Sequence, residues 1–310
     1  AGYDVQLAAG TITAGGTLGI LIPPSIMLVV MGPILNIPVT DLFAAAIMPG
    51  LMLAALYTGY TLIRCHLNPS LGPVVPEDLI PDSMREVWIE FFKGLVPPVL
   101  LVGSSLGSIL AGLATPTEGA AMGAVGAIFL TLAYRKLTFK VLQDALLKTL
   151  EITTLIMVLV CASNFFGAVF SRLGTPTMLT EYLMVLDLPP MVLLLMIMAL
   201  IFLLAWPLEW VPIVLIIIPI LMPLVVQILD QLELPLLWFA ILVAVNLQTA
   251  WLSPPVALSA YFLKGVVPEW DLADIYKGMF QFMMIQVVGL AVIIIFPKIV
   301  LWLPTYLYGN

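Results

Sequence analysis

Seven stretches of this chain, residues 42–64, 94–113, 117–134, 150–171, 190–206, 210–229 and 279–303, run almost wholly apolar. Each has about the 20 residues that a helix needs to cross the hydrocarbon of a bilayer. Nothing else constrains the fold as strongly. In hydrocarbon the backbone N–H and C=O groups have no water to bond, so such a segment satisfies them internally, as a helix. With 62% hydrophobic and only 9% charged residues over 310 positions, the chain carries more apolar surface than a water-soluble core can hide. The fold class is therefore an all-α polytopic membrane protein held in the lipid bilayer.

The rest of the composition removes other classes. A net charge of -7 argues against a nucleic-acid partner, and the acidity gathers in loop residues such as Glu77, Asp78, Asp82 and Glu86. Cys65, Cys161 and the single His66 are too few and too scattered for a disulfide framework or a metal centre and are read as structural. The chain has no Gly-x-Ser-x-Gly motif, no Gly-rich phosphate loop and no Walker sequence. No enzymatic activity, ATP motor or organic cofactor is expected.

Against this background the fragment GGTLGILIPPS, Gly15 to Ser25, stands out, because it places helix breakers inside apolar sequence. The second half of the chain repeats it. Thr17, Pro23-Pro24, Pro38 and Asp41-Leu42 recur in order as Thr249, Pro254-Pro255, Pro268 and Asp271-Leu272, with Asp41 and Asp271 offset by 230 residues. A non-helical break inside a membrane survives only where it is buried in protein or lines a hydrated cavity, and paired breaks in two halves point to a transport site.

Proline has no N–H for the carbonyl four residues back, so Pro23 and Pro24 are expected to free the carbonyls of Gly19 and Ile20. Pro254 and Pro255 are expected to do the same for Ala250 and Trp251. With the hydroxyls of Thr17, Ser25, Thr249 and Ser253, each break gathers neutral oxygens suited to a small alkali cation. The competing reading of these hydroxyls is helix back-bonding. The prolines are also expected to open the following helices, aiming each N-terminus at an anion.

Two carboxylates sit in apolar sequence, Glu118 after GLATPT and Glu209 after LLAWPL. Each is either an intramembrane functional group or the cap of the helix it begins.

The motifs AAGTITAGGTLGILIPPSIML, GLATPTEGAAMGAVGA and NLQTAWLSPPVALSAYFLKGVVP, in this order, resemble the large membrane subunit of the TRAP (tripartite ATP-independent periplasmic) transporters. The third is similar to the branch labelled mannitol/chloroaromatic type. The likeness covers nearly the whole chain, and it implies that the first helices of the family are not within this sequence. It implies an inverted-repeat, elevator-type secondary transporter of the bacterial inner membrane with two re-entrant helical hairpins. It also implies sodium-driven import of carboxylates and other organic anions, a periplasmic substrate-binding protein, and a small four-helix membrane subunit. Carried over by motif, Gly16, Thr17, Gly19, Pro23 and Ser25 form the first hairpin tip. Asn246, Gln248, Thr249, Ser253 and Pro254 form the second, and Thr115, Thr117 and Glu118 belong to a broken helix. Sodium is expected near Gly19, Thr17, Thr249 and Ala250.

The expected organisation is a first hairpin over 1–36, then a span, loop and interfacial arm helix over 37–93. A broken-helix region covers 94–134, and a cytoplasmic connection with a scaffold span covers 135–189. Spans occupy 190–229, the second hairpin 230–265 and the last span 266–310. The connection carries Arg135, Lys136, Lys140 and Lys148, which assigns it to the cytoplasm. Where the family commonly has Gly, this chain has Gln248 and Ala250, and Glu209 stands for a common Asp; these departures bear on the number of sodium ions. A proton-coupled carrier and a passive channel or scaffold are the alternative readings.

Overall fold

Prolines and polar caps set the ends of the helices that the apolar runs specify. The computed structural model describes residues 2–74, 83–185, 187–254 and 257–309. Its described residues form helices and no strand, and six helices are long and apolar enough to cross a membrane. Glu77, Asp78 and Asp82 lie outside the described residues.

The chain divides into two compact units, residues 73–158 and residues 2–72 with 159–310. The first holds α4 (Met84–Leu110), α5 (Pro116–Ala133) and the start of α6 (Phe139–Arg172). Helices α4 and α5 pair through small residues, as apolar helices do in lipid, where close backbone contact replaces the hydrophobic drive. A Cβ on Gly119 would lie 2.5 Å from Ile109, and the Ser105 hydroxyl donates to the Gly119 carbonyl at 2.6 Å.

Two expectations are corrected in this unit. The interfacial arm helix within 66–93 and the span from 94 are one helix, since α4 runs unbroken from Met84 through Pro97 and Pro98. Lys93 ends the charged sequence but not the helix. The polar connection is also shorter than its composition suggests, because α6 already begins at Phe139 and carries Lys140 and Lys148.

The second unit holds α1 (Val5–Leu21), α2 (Ile26–Leu35) and α3 (Val39–Leu67), followed after α6 by α7 (Thr175–Met184), α8 (Pro190–Ala205) and α9 (Trp210–Leu232). Then come α10 (Leu236–Leu247), α11 (Thr249–Leu252), α12 (Leu258–Val266), α13 (Leu272–Ile295) and α14 (Lys298–Tyr308). Helix α9 contains a π-helical stretch, Ile213–Ile217. The last apolar run, 279–303, is split at Pro297, which caps α14, so it is not one span. Helix α1 lies along α13 and against α3, and α10 is enclosed by α3, α8, α13 and α2. Tyr57 and Tyr60 of α3 meet Phe282 of α13 edge-on, at centroid distances of 5.6 and 5.3 Å. Every residue of α10 from Trp238 to Leu247 is buried. This is the centre of the unit, and both breaks adjoin it.

Candidate ion and solute site

The first break lies later than the glycines suggest. Helix α1 continues through Gly15, Gly16 and Gly19 to Leu21, and a Cβ on any of the three would meet open space. The backbone becomes extended at Ile22 and stays so at Ser25, which caps α2 by accepting from the Leu28 N–H at 3.3 Å. The Ser25 hydroxyl donates to the Ile20 carbonyl. Two expectations change as a result. Ile20 does not offer an open carbonyl, because the serine beyond the prolines fills the bond that Pro24 cannot make. Nor do Pro23 and Pro24 open α2; they precede its cap.

The bend between α1 and α2 is 41°. A hairpin reverses the chain, whereas this angle leaves α2 running on in the same general direction. The expected hairpin is therefore a bent helix pair, a broken span or a re-entrant segment.

The second break starts with a turn at Gln248, between α10 and α11, and continues at Ser253 and Pro254. Pro255 lies outside the described residues. Ser253 donates to the Thr249 carbonyl at 2.8 Å, and Ala257, which precedes α12, takes a positive φ of 28°, a backbone region that favours glycine. The Asn246 amide donates across to the Met198 carbonyl on α8 at 2.8 Å.

The two breaks match in detail. Thr17 donates to the Ala14 carbonyl at 2.8 Å, and Thr249 donates to the Asn246 carbonyl at 2.7 Å, each three residues back. After each break come a short helix, a Pro-x-x-Asp group and a long span, α3 in one case and α13 in the other. Asp271 caps its span by accepting from the Ala273 N–H at 3.1 Å, and Asp41 lies in the first turn of its own. The back-bonding reading of the threonines is correct. Each hydroxyl spends its hydrogen on this bond and keeps acceptor capacity toward a ligand or a cation, with the Tyr57 hydroxyl as a polar neighbour of Thr17.

Helix α11 packs against α1, α8 and α13, so the second break adjoins the helix that leads into the first. Thr17, Ser25, Asn246, Gln248, Thr249, Ala250 and Ser253 are all buried, and Pro23 is buried while Pro24 is exposed. A cavity of about 480 Å³ opens between Ile12, Thr13 and Gly16 on α1 and Trp251, Ser259 and Phe262 at the second break. Its lining carries no charged side chain.

Thr115, Thr117 and Glu118 belong to the other unit and are exposed in it. Thr115 and Glu118 form a capping box: the Thr115 N–H donates to Glu118 Oε2 at 2.8 Å, and the Glu118 N–H to Thr115 Oγ1 at 3.3 Å. Glu118 thus takes the capping role. Glu209 occupies the cap position of α9, but its side chain makes no capping bond. It lies in the loop between α8 and α9, and burial holds its carboxyl above the ordinary carboxylate range.

Sequence reasoning missed Gln286. It sits midway along α13, fully buried, and its Nε2 donates to the Val245 carbonyl and to Gln248 Oε1, both at 2.8 Å. A lone amide within FMMIQVVGL was the available signal.

The profile of the family described as tripartite ATP-independent periplasmic transporter, DctM component, matches residues 1–299. The chain belongs to this family. Similar proteins include a TRAP large permease named for sialic acid from Vibrio cholerae, 28% identical over 99% of this chain and 69% of its own length. A large permease named for 2,3-diketo-L-gulonate from Escherichia coli is 29% identical over 97% of the chain and 68% of its own length. The sialic acid permease of Haemophilus influenzae is 26% identical over 99% of the chain, which spans only 48% of that relative. These TRAP relatives are permeases and not enzymes, in keeping with the absence of nucleophile and phosphate motifs. TRAP membership and the six apolar helices make the chain part of a multi-pass membrane protein.

Proposed function

We propose that this TRAP permease is the membrane-embedded part of a sodium-coupled carrier in a bacterial inner membrane. It imports small carboxylates or related organic anions, delivered by a periplasmic binding protein, and works beside a small membrane subunit. Relatives are named for sialic acid, 2,3-diketo-L-gulonate and C4-dicarboxylates, all organic acids.

The observation that carries this reading is the matched pair of breaks with their buried neutral oxygens. Thr17 and Thr249 occupy equivalent places, each donating to a carbonyl three residues back, and neither break carries a carboxylate or guanidinium in its sequence. Neutral oxygens suit sodium, and bound sodium would supply the positive charge that an anion needs where Lys and Arg are absent. Elevator motion would carry the two breaks together, which accords with their seat on one unit.

Sodium-driven uptake in proteoliposomes is the test, with the binding protein and small subunit present. An inward sodium gradient is expected to drive accumulation of a carboxylate; uptake indifferent to sodium overturns the coupling. Saturable uptake that requires the binding protein separates a carrier from a channel.

A further inference from the structure

Gln286 and Gln248 form a buried amide pair whose orientation is fixed by one backbone atom. The Val245 carbonyl can only accept, so the end of the Gln286 amide that faces it must be the nitrogen. The second hydrogen of that nitrogen points to Gln248, which must therefore present its oxygen. Both amides follow from this. Gln248 Nε2 is left with its two N–H groups directed elsewhere, and among the described residues this buried nitrogen has no partner. Trp251, at the same break, has a buried indole N–H that likewise has no partner among the described residues. Unbonded donors in an apolar interior are costly, so a break that carries two of them, one on a residue lining the cavity against α1, is suited to a ligand that accepts.

We propose that Gln248 is a solute-binding donor, giving its N–H groups to a carboxylate or hydroxyl oxygen of the transported anion, and that Gln286 is the positioning residue that holds it in this sense. The proposal rests on the organic-anion reading above and narrows it. Gln248 is assigned to the anion because the atom it leaves unpartnered is the donor nitrogen, while its oxygen already accepts from Gln286. The oxygens left for a cation are the Thr17 and Thr249 hydroxyls and Asn246 Oδ1, which has no partner among the described residues. The family resemblance placed Gln248 at the site without distinguishing the two.

The test follows thermal unfolding of the purified full-length permease in sodium succinate, sodium N-acetylneuraminate and sodium chloride, at matched sodium. At least one carboxylate is expected to raise the midpoint above the chloride value. Gln248→Met keeps the volume and removes the donors; the carboxylate half-saturation should rise about 10-fold or more, while the response to sodium chloride persists. Gln286→Met leaves the residues of the break intact and frees the Gln248 amide to turn, so the carboxylate half-saturation should rise about 3-fold or more with the sodium response retained. If Gln248→Met fails to fold, this second variant still decides. A carboxylate response that survives both variants, or a loss confined to the sodium response, overturns the donor assignment. A wild-type protein indifferent to both carboxylates overturns the organic-anion reading itself.

Discussion

Gly10 on α1 and Gly278 on α13 meet backbone to backbone. A Cβ on Gly10 would lie 2.6 Å from the Gly278 carbonyl oxygen, and a Cβ on Gly278 would collide with the Gln6 carbonyl. The helix that leads into the first break is thus mounted directly on the helix that carries Gln286. Nearby, Gln6 also donates to Asp274 at 3.0 Å, so polar and close-packed contacts fix the same crossing.

Gly278→Ala should therefore force α1 off α13. Neither colliding atom is the end of a flexible side chain, so relief requires a helix shift, and a loss of about 1–3 kcal/mol is expected. Thermal unfolding in detergent measures it. An unchanged midpoint would show that the helices do not approach this closely.

Gly16→Ala should behave in the opposite way. The position is helical and a Cβ there meets open space, so the fold should gain up to about 1 kcal/mol from better helix propensity. Because Gly16 lines the cavity beside the second break, uptake is expected to fall although stability does not. Undiminished transport would remove Gly16 from the site.

Thr17→Ala and Thr249→Ala each delete one of the matched hydroxyls. Their back-bonds are local, so expression should be little affected, while the sodium concentration for half-maximal uptake rises. Normal sodium dependence in both variants would remove the threonines from the ion site.

Thr115→Ala should weaken the start of α5 by about 1 kcal/mol, and Thr115→Ser should restore it. Since the Glu118 carboxylate is engaged in the same cap, Glu118→Gln should leave the pH profile of uptake unchanged. A shifted profile would revive the proton-coupled reading.

The places where sequence and structure part share one cause. Apolar length foretold α5 and α8 to within about a residue at each end, because hydrocarbon leaves the backbone only one way to bond itself. Composition gave the wrong limits for α4 and α6, since a helix can carry charged residues at the membrane edge without ending. At the first break the proline rule correctly marked where N–H donors are missing. It did not reveal that Ser25 would supply one to Ile20, since a side-chain donor is placed by the local bend and not by spacing.

The sequence by itself determined that the chain is a bundle of membrane helices with two related interruptions and buried neutral oxygens beside them. These follow from residue chemistry and from intervals along the chain. Only the tertiary structure decided that Glu118 is a cap, that the first interruption bends by 41°, and that an amide on α13 fixes the sense of Gln248. Gln248 and Gln286 are 38 positions apart. No periodicity links them, and their relation exists only because α10 and α13 pack together in three dimensions.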